Sequence, residues 1–182
     1  MGIFWQEVGQ TIREEFSDLP DARGVTRIIL RLLTAAILGG FLGFEREQKG
    51  KAAGLKTHML VALGAALFVL IPQQAGVSDA DLTRVLQGLI AGVGFLGAGT
   101  IIKGNDAEDV KGLTTAAGIW LTAAIGVAAG MGRESTAVLS TLLALVILYT
   151  VPAVARRFEN HGKWLGRRES DERRKHHSSE EQ

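Results

Sequence analysis

The residues of this chain that can do chemistry are few, and they sit at the ends of long apolar stretches. One stretch closes with Gly43-Phe44-Glu45-Arg46-Glu47, and the next opens with Lys56-Thr57-His58. Thr100 and Lys103 close a third, and Lys111-Gly112-Leu113-Thr114-Thr115 open a fourth. Glu45 can pair with Lys56 or Arg46. His58 brings the one imidazole of the group, able to exchange a proton near neutrality. Thr57, Thr114 and Thr115 can cap helix starts or bond between helices. Glu45, Arg46, Lys56, Thr57, His58, Thr100, Lys111, Thr114 and Thr115 therefore form a candidate polar site. It reads either as a seam that fixes helix register or as a site for an ion, a proton or a partner. It is not a Mg²⁺ cage, since Mg²⁺ takes oxygen ligands and keeps several waters, and one His with few carboxylates offers neither. No metal is assigned. Asp106, Glu108 and Asp109 can attract cations but also read as a solvated run, and His176-His177 lie in a charged tail.

Several chemistries lack their residues. Cys is absent, which removes disulfides and thiolate sites. No Ser-His-Asp spacing and no H-E-x-x-H string appears, so the expectation is a non-enzymatic protein without a cofactor. Gly92-Val93-Gly94-Phe95-Leu96-Gly97 matches G-x-G-x-x-G. That fingerprint needs a preceding strand and an acidic residue about 20 positions on within a βαβ unit. Here it lies among apolar residues in mid-stretch, so a nucleotide role is rejected. The net charge of +1 carries little information, since its distribution matters more, and no nucleic-acid partner is expected.

The elements that must position the polar site are membrane helices. The 182 residues amount to one domain and are 47% hydrophobic, but charge collects in the first 24 and last 27 residues. A bilayer core of about 30 Å asks for about 20 mostly apolar residues per helix. Five stretches qualify, at 25–44, 57–75, 85–102, 113–131 and 135–155. The fold expected is an all-α integral membrane protein, a bundle of five transmembrane helices with short connections. It is flanked by an N-terminal segment 1–24 and a charged tail 156–182. Basic residues prefer the cytoplasmic side. Arg46, Lys49, Lys51, Lys56, Lys103, Lys111 and the tail lie on one side, against Arg13, Arg23, Arg84 and Arg133 on the other. The N-terminus is thus expected outside and the C-terminus in the cytoplasm.

MGIFWQEVGQTIREEF lacks the basic n-region and cleavage motif of a signal peptide. Its Ile3, Phe4, Val8, Ile12 and Phe16 recur at helical spacing, which predicts an amphipathic helix along the outer interface. In the first span Arg27 reads as reaching toward headgroups. Arg31, a turn deeper, needs an acceptor, with Asp79, Asp81, Gln73, Gln74 and Gln87 on its side. Small residues let helix backbones approach in lipid, where little hydrophobic force draws helices together. Gly39/Gly43, Gly88/Gly92 and Gly126/Gly130 are each four apart, and Gly94, Gly97 and Gly99 add to the small faces. Five thin helices enclose little volume, so a homodimer or small homo-oligomer is expected.

Particular strings carry a resemblance. Gly43-Phe44-Glu45-Arg46-Glu47, Gly54-Leu55-Lys56-Thr57-His58, Gly94-Phe95-Leu96-Gly97-Ala98-Gly99, Gly112-Leu113-Thr114-Thr115-Ala116-Ala117 and Trp120 with Gly126 occur in order over about residues 28 to 150. In these the chain resembles the MgtC/SapB family of bacterial inner-membrane proteins. The resemblance implies a multi-pass protein of the bacterial inner membrane, linked to magnesium homeostasis and to growth when Mg²⁺ is scarce. It further implies a regulator of another membrane complex, such as the F-type ATP synthase, rather than a Mg²⁺ transporter. Virulence-type members carry a cytoplasmic domain after the fifth helix and a cysteine beside the helix-four tryptophan. This chain has a short charged tail and Leu121 at those places. The expectation is a short, general member, and a small oligomeric transporter or channel is the alternative.

Overall fold

A computed structural model describes residues 2–15, 21–103, 110–155 and 157. Apart from turns and one small hairpin, the described residues are helical. The helices are α1 (Gly2–Glu15), α2 (Ala22–Gln48), α3 (Leu55–Gln74), α4 (Asp79–Ala98), α5 (Leu113–Gly130) and α6 (Glu134–Ala155). Between α4 and α5, β1 (Ile102–Lys103) pairs antiparallel with β2 (Val110–Lys111), Ile102 opposite Lys111. Two compact units divide the chain, 1–141 and 142–182, with the boundary inside α6.

Helix starts follow from short-range chemistry. Asp21 caps α2, its Oδ1 accepting from the Gly24 amide at 2.6 Å. Ser78 caps α4, its Oγ accepting from the Asp81 amide at 3.2 Å while donating to Asp81 Oδ2 at 2.7 Å. The threonines expected as caps do not serve at α3 and α5, whose N-caps are Gly54 and Gly112. Glu47, from the end of α2, instead reaches over to accept from the Leu55 amide at 2.8 Å. A carboxylate placed there also opposes the positive end of the α3 dipole.

Four helices, α2, α3, α5 and α6, are long and apolar enough to cross a membrane. The helix α4 is not among them. Where the sequence predicts a span at 85–102, the helix begins at Asp79 and ends at Ala98, and the chain turns into the hairpin. The difference is physical: Ser78 and the Asp79-Ala80-Asp81 turn start the helix early, so its first two turns carry Asp79, Asp81 and Arg84.

The core lies where α2, α3 and α5 meet, with α4 on α5 and α3. It is filled by Ala35, Ala62, Ala65, Ala66, Val69 and Ala129, all essentially without exposure. A Cβ on Gly39 would come within 2.6 Å of the His58 carbonyl oxygen, and one on Gly43 within 2.7 Å of Leu55 Cα. On α5, Gly126 and Gly130 press in the same way on the carbonyls of Ala62 and Ala66. Packing between α3 and its neighbours is therefore backbone on backbone, the arrangement that small residues permit in lipid. Gly97 of α4 is in ordinary contact with Ala116 of α5. A methyl added at Gly88, Gly92 or Gly94 would have no neighbour within 4 Å, and one at Gly99 would meet only its own helix end.

Gly112, at φ 97°, takes the left-handed conformation, and a Cβ there would strike the Thr100 carbonyl. Both the conformation and the contact demand glycine. Gly112→Ala is expected to cost about 2–3 kcal/mol from strain and overlap together. Thermal unfolding in detergent checks it; an unchanged midpoint would place Thr100 away from Gly112.

The α1 helix forms as the spacing predicts, with Ile3, Phe4, Trp5 and Ile12 exposed along it. Phe16, the acidic run Asp106, Glu108 and Asp109, the His176-His177 pair and the tail from 158 onward lie outside the described residues.

Candidate functional site

Two polar stations tie the three core helices, one at each end. At the first, α2 finishes and α3 and α5 begin. Glu45 and Arg46 are successive residues on α2, 1% and 4% exposed. Arg46 Nε donates to Glu45 Oε2, which leaves Oε1 buried without a partner. His58, in the first turn of α3, has no exposure. Its Nδ1 lies 2.9 Å from the Gly54 carbonyl oxygen. A carbonyl only accepts, so Nδ1 carries the hydrogen, and Nε2 of the neutral ring bears a lone pair. That Nε2 is buried and unpartnered, and it faces α5 at Gly118, where a methyl would lie 3.5 Å away. From α5, Thr115 and Thr122 are buried on the same side, Thr122 Oγ1 donating to the Gly118 carbonyl at 2.8 Å.

The nine residues grouped by sequence thus divide. Glu45, Arg46, His58 and Thr115 are interior, while Lys56, Thr57, Lys111 and Thr114 are exposed at the same end. Thr100 is half-buried and turns back on its own helix end, donating to the Gly97 carbonyl at 2.7 Å. Glu45 takes Arg46, its neighbour in sequence, rather than the exposed Lys56. Gly118 and Thr122 belong to the station but not to the nine residues that the sequence suggests. Their signal is the spacing 115, 118, 122, which puts them on one face of α5 beside His58.

Chemically, the buried part offers one neutralised ion pair and two hydrogen-bond acceptors, Glu45 Oε1 and His58 Nε2. A buried acceptor left without a donor costs about 1–3 kcal/mol, so each of these atoms can take a hydrogen-bond donor. Among the described residues no three His, Asp or Glu side chains come together in a way that could hold a metal. A cavity of about 180 Å³ between α4 and α5 is lined by apolar residues including Leu89, Val93, Trp120 and Val127.

At the second station Arg31 of α2 crosses to both partners. Its Nη1 donates to the Gly130 carbonyl at 2.9 Å and to Gln73 Oε1 at 3.2 Å, while Nε is buried without a partner. The guanidinium lies on the Gly132 turn, which φ 74° makes possible. Of the acceptors on the side of Arg31, Gln73 is the one it finds; Asp81 pairs with Arg84 instead, at 2.8 Å. Arg27 is exposed and lines an open cavity with Arg23 and Glu134. Arg31→Met keeps most of the stem and removes two bonds from a charged donor. It should lower stability by about 1.5–3 kcal/mol in detergent denaturation, and Arg27→Met by far less; equal effects would mean that Arg31 does not latch α5.

Residues 32–157 match the MgtC family. The chain belongs to that family. It is 41% identical over 128 residues to the Escherichia coli K12 protein named "Putative magnesium transporter YhiD", covering 66% of this chain and 58% of that protein. Protein SrpB of Synechococcus elongatus is 43% identical over 129 residues, 65% of this chain and 71% of SrpB. Protein MgtC of Brucella abortus is 43% identical over 116 residues, 64% of this chain and 48% of that protein. The chain thus spans about half to seven tenths of the length of these relatives. No solved structure matches. Both stations fall inside the family region except Arg31, which precedes its first residue. Family membership and the apolar helices together make this a membrane protein.

Proposed function

We propose that this MgtC-family chain is a multi-pass protein of the bacterial inner membrane that serves magnesium homeostasis without being an enzyme, by regulating another membrane complex. In this reading α2 to α6 all cross the bilayer. The N-terminus is outside with α1 along the outer interface, and the first station faces the cytoplasm, as the placement of Lys and Arg requires. The observation that carries the proposal is the division of the polar residues at that station. Glu45, Arg46 and His58 are closed in among alanine and glycine, whereas Lys56, Thr57, Lys111 and Thr114 stand exposed at the same end. A closed interior with a polar, basic rim suits docking to a partner at the membrane surface, where charge steers the encounter. The F-type ATP synthase is one such complex. The names of the MgtC and YhiD relatives support the link to magnesium.

A second reading, an oligomeric transporter of an ion or small solute, is favoured by one observation. The side of α4 away from the core carries Arg84, Gln87, Gly88 and Gly92, and several such sides together can line a polar path. Flux separates the two. In liposomes holding the purified protein, Mg²⁺, K⁺ and proton movement should stay at the protein-free level with and without a potential. A specific membrane complex should co-purify from native membranes and be lost on Lys56→Glu with Lys111→Glu. Ion movement abolished by Glu45→Gln and His58→Ala would instead establish transport.

A further inference from the structure

The helix α4 has its polarity the wrong way round for a rod surrounded by lipid. Its more apolar side turns inward: Leu82, Val93 and Gly97 are buried and Val85, Leu86 and Leu89 half-buried against α5 and α3. The opposite side is open. It runs from Asp81 and Arg84 through Gln87, Gly88, Ala91 and Gly92 to Phe95, which is 82% exposed, with Ile90 and Leu96 exposed at its margins. Lipid favours the reverse, with polar groups facing the bundle interior. The same helix is absent from those apolar enough to cross a membrane by themselves. Bare exposure of Asp81, Arg84 and Gln87 to hydrocarbon on this side is therefore costly.

We propose that a second copy of this chain covers the outward side of α4, about a two-fold axis along the membrane normal, so that α4 lies parallel to its own copy. The inference rests on the reading above that α4 crosses the bilayer. Charge decides the occupant. Asp81 and Arg84 bond to each other at 2.8 Å yet are 51% and 79% exposed, so the side carries one charge of each sign a turn apart. Related by a two-fold axis, Arg84 of each copy reaches Asp81 of the other, and the side is its own complement. Gln87, three residues further along, both donates and accepts and can meet its own equivalent. Close approach is sterically free, because a Cβ added at Gly88 or Gly92 would have no neighbour within 4 Å among the described residues.

The chain has no cysteine, so single cysteines report directly. Ala91→Cys and Gln87→Cys should form disulfide-linked dimers on oxidation in native membranes, because facing Cα atoms within about 7 Å can be bridged. Leu60→Cys, equally exposed but on α3, should not. Adding Gly92→Leu to Ala91→Cys should cut the dimer about tenfold, the effect of roughly 1.4 kcal/mol at a helix contact. Helix content should be unchanged, since a Cβ at Gly92 would have no neighbour within 4 Å among the described residues. No dimer from α4 above the Leu60→Cys level, or links to a different protein instead, overturns the proposal. Impermeant maleimide on Ser78→Cys and Ala98→Cys tests the underlying reading separately. Labelling of both from one side shows that α4 does not cross, whereas labelling from opposite sides without a dimer fails the interface alone.

Discussion

Glu45→Ala should lower the stability of the folded chain in detergent by about 3–5 kcal/mol, the cost of leaving one buried charge without its partner. The reason is the depth of the pair rather than the strength of its bond. Arg46 is 4% exposed, and Glu45 Oε2 accepts from its Nε. With the carboxylate gone, the guanidinium keeps its desolvation cost and loses its compensation. Glu45→Leu together with Arg46→Met should recover most of the loss, because exchanging a buried pair for apolar side chains of similar size is often neutral. Denaturant titration of the single and double variants gives the comparison. A loss below about 1 kcal/mol for Glu45→Ala, the range of a surface pair, would mean that this end is open to water and that the closed interior is wrong.

Gly126→Leu should be comparably damaging for an opposite reason, too much matter instead of too little. A Cβ at Gly126 would overlap the Ala62 carbonyl oxygen and lie 2.9 Å from Ala62 Cα. Backbone atoms cannot swing aside, so α5 must move off α3 along the seam that also holds Gly130 against Ala66. Overpacking in a filled core costs about 1–3 kcal/mol and more where backbone must shift. Here loss of the folded state at moderate temperature is the expected readout. The control is Gly64→Ala. Gly64 sits in α3 with no neighbour within 4 Å of an added methyl, and Ala there should be neutral or stabilise by up to about 1 kcal/mol. Equal behaviour of the two would show that α3 and α5 are not in backbone contact.

The two proposals meet at the ends of the core. If α2, α3 and α5 form a rigid, closed unit, a signal between the rim at Lys56 and a partner has to pass through surfaces. The rim at Lys56 and Thr114 and the outward side of α4 are among the exposed surfaces.

Much of this molecule is legible in the chain alone. Five runs of apolar residues of helical length stand out in the sequence, and four of them are helices long and apolar enough to cross a membrane, because span length is dictated by bilayer thickness and needs no knowledge of neighbours. Spacing of Ile3, Phe4, Val8 and Ile12 predicts the helix of α1, and the motif strings announce the family. What the tertiary structure decided is which side of each helix is occupied. Three glycine pairs look alike in sequence, yet Gly39/Gly43 and Gly126/Gly130 press on α3 while Gly88/Gly92 face outward. Likewise Thr114 and Thr115 are adjacent, but a step of about 100° along α5 exposes one and buries the other beside His58. Composition sets how long a helix is and whether it suits lipid. Only the packing of several helices selects the neighbour each face meets, because that choice depends on contacts between residues far apart in the chain.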